Sequence, residues 1–409
     1  MAKENKDLVV GLDIGSSKIM AVVAELTHAG ELRVAGVGTE PSRGLKRGAV
    51  VDIDAAVHSI QKAIQEAAVM AECSINRVYT GITGNHIRGM NSAGMVTIRN
   101  REVTALDVNK VIEAAKAVTI ANDQRLLLVE PQEFEIDMQS VREPIGMSGL
   151  RLDAKVHIVT GAQSAAENIV KCVRRCGLEV EQLLLNPHAS SRSVLTEDEK
   201  ELGVVLVDIG AGTTDVAIYA GGAIRHTAVI PIAGDLITSD IAMALHTPTK
   251  DAEEMKIRHG CAKQLLADPE VQVEVPGLGD RELRFVNKQA LSGVIEPRVE
   301  EIFALVLQVV RESGLEEILS SGFVITGGSS SMPGMVELAE DIFLKPVRRG
   351  VPMYRGALDD LVLVPSAATV MGFLEEARLG RVRGVKAAGR NPGFKSALGR
   401  VRDFFVGNF

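Results

Sequence analysis

At 409 residues, 46% hydrophobic and 24% charged, the chain has the make-up of a folded protein of roughly two to three domains and not of a disordered one. No run approaches the ~18 consecutive apolar residues of a membrane-spanning helix, and the charged start Met-Ala-Lys-Glu lacks the apolar stretch and cleavage site of a secretory signal, so the body is expected in the cytosol. The net charge of −8 is uneven: beyond residue 377, Arg378, Arg381, Arg383, Lys386, Arg390, Lys395, Arg400 and Arg402 face Asp403 alone, so an acidic body argues against nucleic acid while a basic tail suggests an anionic surface such as a membrane.

Residues 8–38 read as an apolar strand ending in Gly11-Leu-Asp-Ile-Gly15, a Ser16-Ser17 turn, a second strand over 19–26, a turn at His28-Ala29-Gly30 and a third strand over 32–38. Apolar residues at three- and four-residue spacing predict a helix over 55–70. Residues 84–162 then interrupt the pattern as a small α+β module. In it, Thr104 with Asp107 signals the start of an amphipathic helix to about residue 118. Strands are expected over 126–129, 134–138 and 150–159, the last with Leu152, Ala154, Val156 and Ile158 on one face. A helix follows over 164–176. It carries Cys172 and Cys176, which with Cys73 and Cys261 read as free thiols, because no Cys or His recurs nearby at zinc spacing.

Residues 203–231 repeat the opening plan. A strand over 204–208 leads into Gly210-Ala-Gly212-Thr213-Thr214, a strand over 215–219 turns at Gly221-Gly222, and a third strand covers 223–230. Helical patterns follow over 236–245 and 296–312. Two copies of one unit, each followed by helices, predict an α/β fold of two similar lobes facing each other. From 378 the chain reads as a flexible basic linker, 378–393, leading to an amphipathic helix over 394–409.

Three Gly-rich turns carry the chemistry. They hold Asp13, Gly15, Ser16, Ser17 and Lys18 in the first, Asp208, Gly210, Gly212, Thr213, Thr214 and Asp215 in the second, and Gly327, Gly328 and Ser329 in the third. A backbone that approaches phosphate closely needs glycine, since a Cβ blocks the approach, and bare N–H groups with Ser and Thr hydroxyls then donate to phosphate oxygens. Asp13 and Asp208 end the first strand of each lobe, where they are placed to hold a hydrated Mg²⁺ through water. Lys18 offsets phosphate charge. A lone Gly-rich turn is usually only a hairpin connection; its recurrence at the same point of both hairpins raises it to a site.

These motifs resemble the actin, sugar kinase and DnaK-type chaperone superfamily: GLDIGSSK its first phosphate motif, VVLVDIGAGTTDVAIY its second, VITGGSSSMPGM its adenosine motif. The resemblance implies ATP and Mg²⁺ in an interlobe cleft, with Glu253 and Lys256 gripping the ribose and base. Within the superfamily the match to the FtsA family of bacterial cell division proteins covers nearly the whole chain, through AKVHIVTG, CGLEVEQL, SSRSVLTEDEKELGV, GGAIRHTAVIPIAG, IRHGCA and VIEPRVEE. It implies lobe I (1A) over 1–83 and 163–197 with 363–377 returning to it. Lobe II (2A) covers 198–226 and 308–362, subdomain 2B 227–307, and the insert 84–162 is subdomain 1C, which contacts neighbouring subunits of a polymer. It further implies that the C-terminal peptide of FtsZ docks on 2B, that other division proteins are partners, and that the protein works at the division site on the cytoplasmic face of the inner membrane.

Hydrolysis is a separate matter. The connecting helix near Leu185-Asn-Pro-His offers Asn186 and His188 but no Gln or Glu to orient water, so hydrolysis is expected to be slow at most. On a helical wheel Phe394, Ala397, Leu398, Val401, Phe404, Phe405 and Phe409 fall within an arc of about 140°, flanked by Lys395, Arg400 and Arg402. Such a helix suits a membrane interface, and the FtsA family ends in one. The competing readings are a PilM-like assembly ATPase, which lacks such a tail, and a sugar kinase.

Overall fold

The computed structural model describes residues 7–279 and 283–388. The chain opens with β1 (Leu8–Ile14), β2 (Lys18–Leu26) and β3 (Leu32–Pro41), then a small hairpin of β4 (Leu45–Lys46) and β5 (Ala49–Val50). Helix α1 (Ile53–Met70) starts where the Asp52 carboxylate accepts from the Ala55 N–H, and β6 (Arg77–Ile82) follows. After an insertion the lobe is completed by α3 (Gln163–Arg175) and β11 (Glu179–Leu185), once β7 (Arg88–Thr97), α2 (Ala105–Ala115), β8 (Gln124–Ile136), β9 (Gln139–Val141) and β10 (Arg151–Ala162) have been threaded between β6 and α3.

The connecting helix α4 (Asn186–Val194) and a short α5 (Glu197–Leu202) lead to the second lobe: β12 (Val204–Ile209), β13 (Thr214–Ala220), β14 (Ala223–Ile230), α6 (Gly234–Leu245), α7 (Thr249–His259), β15 (Gln272–Val275), β16 (Arg284–Asn287), α8 (Lys288–Glu312), β17 (Phe323–Thr326), α9 (Met335–Phe343), β18 (Val347–Arg349) and α10 (Asp359–Val362). Helix α11 (Ala368–Ala388) returns to the first lobe.

The two main sheets have the same topology. In the first the order is β11-β6-β1-β2-β3, in the second β14-β13-β12-β17-β18. β1 and β12 each pair antiparallel with the following strand and parallel with a strand reached through helices, β6 after α1 and β17 after α8. β12 is buried at every position, so its sequence Val-Val-Leu-Val-Asp-Ile shows no alternation. Separate apolar cores form around Leu12, Ile60 and Ile82 in the first lobe and around Val207, Phe303 and Phe323 in the second. The fold is therefore the two-lobed, duplicated α/β architecture the sequence predicts.

The insertion forms its own sheet, ordered β7-β10-β8-β9, with α2 packed on it. Thr104 and Asp107 make the expected capping box. The strands expected at 126–129 and 134–138 are one strand, β8, in which Gln132 is an extra residue opposite β10. This bulge turns the Gln132 amide toward the second lobe, where it donates to Ile224 O at 2.8 Å.

Two further expectations change. The helix expected from 296 begins at Lys288, capped by Asn287, and runs through Pro297. The stretch from 378, expected as flexible linker, is helical to Ala388. Buried Phe373, Leu374 and Ala377 anchor that helix on the first sheet, and Arg378 bonds Glu375 one turn back at 2.7 Å. The gain exceeds the ~1 kcal/mol of helicity lost at each glycine. The rest of the expected linker, 389–393, and the helix over 394–409 lie outside the described residues.

α4 and α11 cross beneath the cleft at a point where only glycine fits: a Cβ on Gly372 would stand 1.9 Å from the Ala189 carbonyl oxygen. Gly372→Ala should therefore force the helices apart and cost about 1–3 kcal/mol of stability, measured as a lowered Tm. An unchanged Tm would mean the crossing tolerates a wider spacing.

Candidate functional site

The cleft between the lobes, a cavity of about 240 Å³, is where the three Gly-rich turns meet. From the first lobe it is lined by Asp13, Gly15, Ser16, Ser17 and Lys18, and from the second by Asp208, Gly210, Gly212, Thr213 and Asp215. Gly327, Gly328 and Ser329 close one end, with Glu253 and Lys256 of α7. One predicted residue is not at the cleft. Thr214 is fully buried and donates to Ile232 O at 2.7 Å. Alternation at the start of β13 puts Thr214 on the side away from the cleft and Asp215 on the cleft side, and Thr213, just before the strand, also lines the cleft.

Asp208 is held from both connecting helices. Its carboxylate accepts from Ser190 Oγ of α4 at 2.6 Å and from Thr369 Oγ1 of α11 at 3.3 Å. Burial raises its pKa, against those hydroxyls and Lys18. Asp215 accepts from Thr83 Oγ1 of the first lobe at 2.5 Å; burial and the neighbouring Asp208 push its pKa up to about 8. Burial raises Asp13 to about 7, Lys18 opposing and Asp208 adding to the rise. Lys18 Nζ donates to Ser366 Oγ at 2.8 Å, and burial lowers its pKa in spite of Asp13 and Asp208.

At the other end Lys256 pairs with Glu253 at 2.7 Å and donates to Gly234 O at 3.0 Å and Thr238 Oγ1 at 2.8 Å. Gly327 has φ +84°, and a Cβ there would stand 2.4 Å from Asp208 Oδ1, so the fold itself requires glycine. Gly328 differs: its Cβ would meet only Ser366 at 3.7 Å, and one on Gly210 only Thr213 O at 3.2 Å. Gly328 is demanded neither by packing nor by φ, whereas a Cβ on Gly210 would press on a backbone oxygen. A close-lying ligand is a reason for Gly328.

Sequence reasoning missed Gly48, Thr83, Ser366 and Thr369, which also line the cleft. They carry no motif and are brought in by the turn after β4, by the end of β6 and by the start of α11. Of the two connecting-helix candidates, Asn186 lines the cleft, and its Oδ1 is buried without a hydrogen-bond partner among the described residues. His188 faces away, 3.6 Å from Glu130 of the insertion.

Three buried carboxyls whose pKa is raised by burial, and at Asp13 and Asp215 also by Asp208, fit a divalent cation, which would return them to their charged form. Among the described residues no three His, Cys, Asp or Glu side chains converge as a direct cage. A Mg²⁺ here would therefore keep several waters and meet Asp13 and Asp208 through them. The residues assigned to a membrane, Phe394, Lys395, Leu398, Arg400, Val401, Arg402, Phe404, Phe405 and Phe409, lie outside the described residues. No helix among the described residues is long and apolar enough to cross a membrane.

Asp13 and Asp215 bind a proton more tightly folded, at about 7 and about 8, than at the ordinary 3.8. The folded state thus holds extra protons between those values, and stability should fall as pH rises from about 4 to about 8 and level off above. Asp215→Asn should remove part of that slope. Its Tm relative to the parent should be higher at about pH 8 than at about pH 5; an offset equal at both would count against a neutral Asp215.

The family described as cell division protein FtsA matches residues 205–372, and the SHS2 domain inserted in FtsA matches residues 84–160. The cell division protein FtsA of Pseudomonas aeruginosa is 57% identical over 368 residues, 90% of this chain and 88% of the relative. Those of Neisseria meningitidis and Escherichia coli K12 are 49% and 44% identical, over 90% and 93% of this chain and 89% and 92% of theirs. Among solved structures, the PilM–PilN type IV pilus biogenesis complex superposes with TM-score 0.65 at 17% identity, covering 91% of this chain and 98% of that one. MreB5 of Spiroplasma citri bound to ADP superposes with TM-score 0.58 at 14% identity, covering 93% and 98%. At these identities the two structures show the fold, which is actin-like.

Proposed function

The chain belongs to the FtsA family and is a cell division protein; from that premise we propose that it binds ATP with Mg²⁺ between its lobes, self-associates, and tethers FtsZ to the membrane. The observation that carries the nucleotide reading is the pair of duplicated turns facing each other, with Asp13 and Asp208 across the gap and Gly328, a glycine that the fold does not demand, at one end. Phosphates would lie on the backbone N–H groups of both turns with Lys18, and Glu253 and Lys256 would meet the ribose and base beside Gly327 and Gly328. Hydrolysis would be slow, since the connecting helix contributes Asn186 and no Gln or Glu to the cleft. The PilM likeness, at 17% identity, concerns the fold and does not compete with relatives at 44–57%.

The remaining roles follow from the family. The C-terminal peptide of FtsZ would dock on 227–307, a region that exposes Leu265, Leu266 and Phe285. The insertion would contact neighbouring subunits, other division proteins would join, and the basic, aromatic tail would bind an anionic membrane on the cytoplasmic face of the inner membrane at the division site.

Two measurements test these readings. Gly328→Val should leave stability within about 1 kcal/mol of the parent and abolish Mg²⁺–ATP binding by calorimetry. Parental affinity in this variant would sink the interlobe site. For the tail, Phe404→Glu with Phe405→Glu removes ~3–5 kcal/mol of apolar transfer energy and adds repulsion from anionic lipid. The double variant should still bind ATP and FtsZ but no longer float with anionic liposomes. Flotation equal to the parent would show that the tail is not the anchor.

A further inference from the structure

One cation beside the cleft is left over when the site residues are assigned. Arg47 sits in the turn between β4 and β5, with φ +50°, a left-handed conformation that a residue with a side chain seldom adopts unless its surroundings hold it. Both lobes hold this one. Gly48, the next residue, donates its N–H to Ser16 Oγ of the first turn at 3.0 Å and lines the cleft. On the other side, a Cβ on Gly212 would stand 2.8 Å from Arg47 Cα and 2.9 Å from its N. The Arg47 turn therefore touches both Gly-rich turns at once.

The Arg47 side chain is exposed and makes no hydrogen bond or ion pair among the described residues. Its charge nevertheless reaches the second lobe. Burial raises the Asp235 carboxyl, and Lys256 and Arg47 oppose that rise. Asp235 lies beside the second turn, its N–H donating to Ala211 O at 2.8 Å. The cations inside the cleft are already engaged, Lys18 with Ser366 and Lys256 with Glu253. They stand against Asp13, Asp208, Asp215 and Glu253 in the lining. A ligand bringing one more phosphate to this end needs one more cation, and Arg47 is placed to supply it.

We propose that Arg47 is a specificity-determining residue that distinguishes a nucleoside triphosphate from a diphosphate. With a terminal phosphate between the Ser16 and Gly212 turns, the guanidinium swings from solvent onto its oxygens and holds the lobes together through that phosphate. A diphosphate ends short of the Arg47 turn and leaves the side chain in solvent. The proposal rests on the nucleotide reading above.

Its test is calorimetry on the full chain with a non-hydrolysable ATP analogue and with ADP, each with Mg²⁺. Arg47→Gly keeps the left-handed turn and removes the charge, so the fold is preserved; Arg47→Lys keeps the charge without the planar fork. Arg47→Gly should bind the analogue about tenfold more weakly, with ADP within about twofold of the parent, and Arg47→Lys should fall between. Unchanged analogue affinity in Arg47→Gly, or an equal loss for both nucleotides, overturns the assignment to Arg47. Failure of the parent to bind either nucleotide overturns the nucleotide reading and this proposal with it.

Discussion

The hydrogen bonds that Ser190 and Thr369 make to one oxygen of Asp208 tie the second lobe's central strand to both helices that join the lobes. The two hydroxyls also bond each other at 3.0 Å, so α4, α11 and β12 meet at one buried polar point. A buried carboxylate with no such donors is costly. The helix crossing below this point depends on Gly372 lying against Ala189, three residues after Thr369 and one before Ser190. This junction, together with the Thr83–Asp215 hydrogen bond across the cleft, constrains the positions of the two lobes and hence the width of the cleft. A cation that draws on Asp208 would act directly on the joint between the lobes.

α4 also faces away from the cleft. His188 and Arg192 approach Glu130 of the insertion at 3.6 and 3.5 Å, and Arg192 approaches Glu376 of α11 at 3.8 Å. The insertion is fastened to the second lobe as well, by Gln132 at its bulge and by His157 Nε2, which lies 2.9 Å from Thr227 Oγ1. Burial, with a smaller contribution from His226, lowers His157 to about 4, so the ring is neutral at ordinary pH and serves as a hydrogen-bonding spacer with Asn91. A module that contacts both lobes and the helix between them is not a passive appendage. Movement of α4 by the cleft would be felt at Glu130, which gives nucleotide binding a physical route to a surface proposed for subunit contact.

Much of this was legible in the residues because the same pattern occurs twice. Apolar strands, Gly-rich turns and the two aspartates recur at matching points, and every turn residue read from them lies at the cleft except Thr214, where strand alternation decides. What was not legible comes from residues whose role depends on tertiary placement. Thr83, Ser366 and Thr369 sit in unremarkable sequence and reach the cleft only through the packing of β6 and α11. β7, read as no element, has polar and small residues on a half-exposed strand and carries little periodic signal. The long α8 hides its first turns behind Pro297, which a local reading takes as a boundary.

The helical extent of α11 alters the physics of the proposed tether. The sequence predicts a flexible basic linker from 378 on, whose cations would be free to meet an anionic surface. In the structure Arg378 bonds Glu375, and Arg381 bonds Asp7 at the start of the described chain. These two cations are spent on the body. At roughly 1 kcal/mol per basic residue near an anionic surface, their loss takes about 2 kcal/mol from the attraction a free linker would offer. A helix rising ~1.5 Å per residue also stands as a short stiff post where a coil was expected. Membrane binding by one chain would then rest more heavily on the aromatic residues beyond 393. Ordering such a segment offsets most of what its apolar side chains contribute. Several tails held by one polymer would overcome that near-balance through effective concentration, so self-association and membrane residence would rise and fall together.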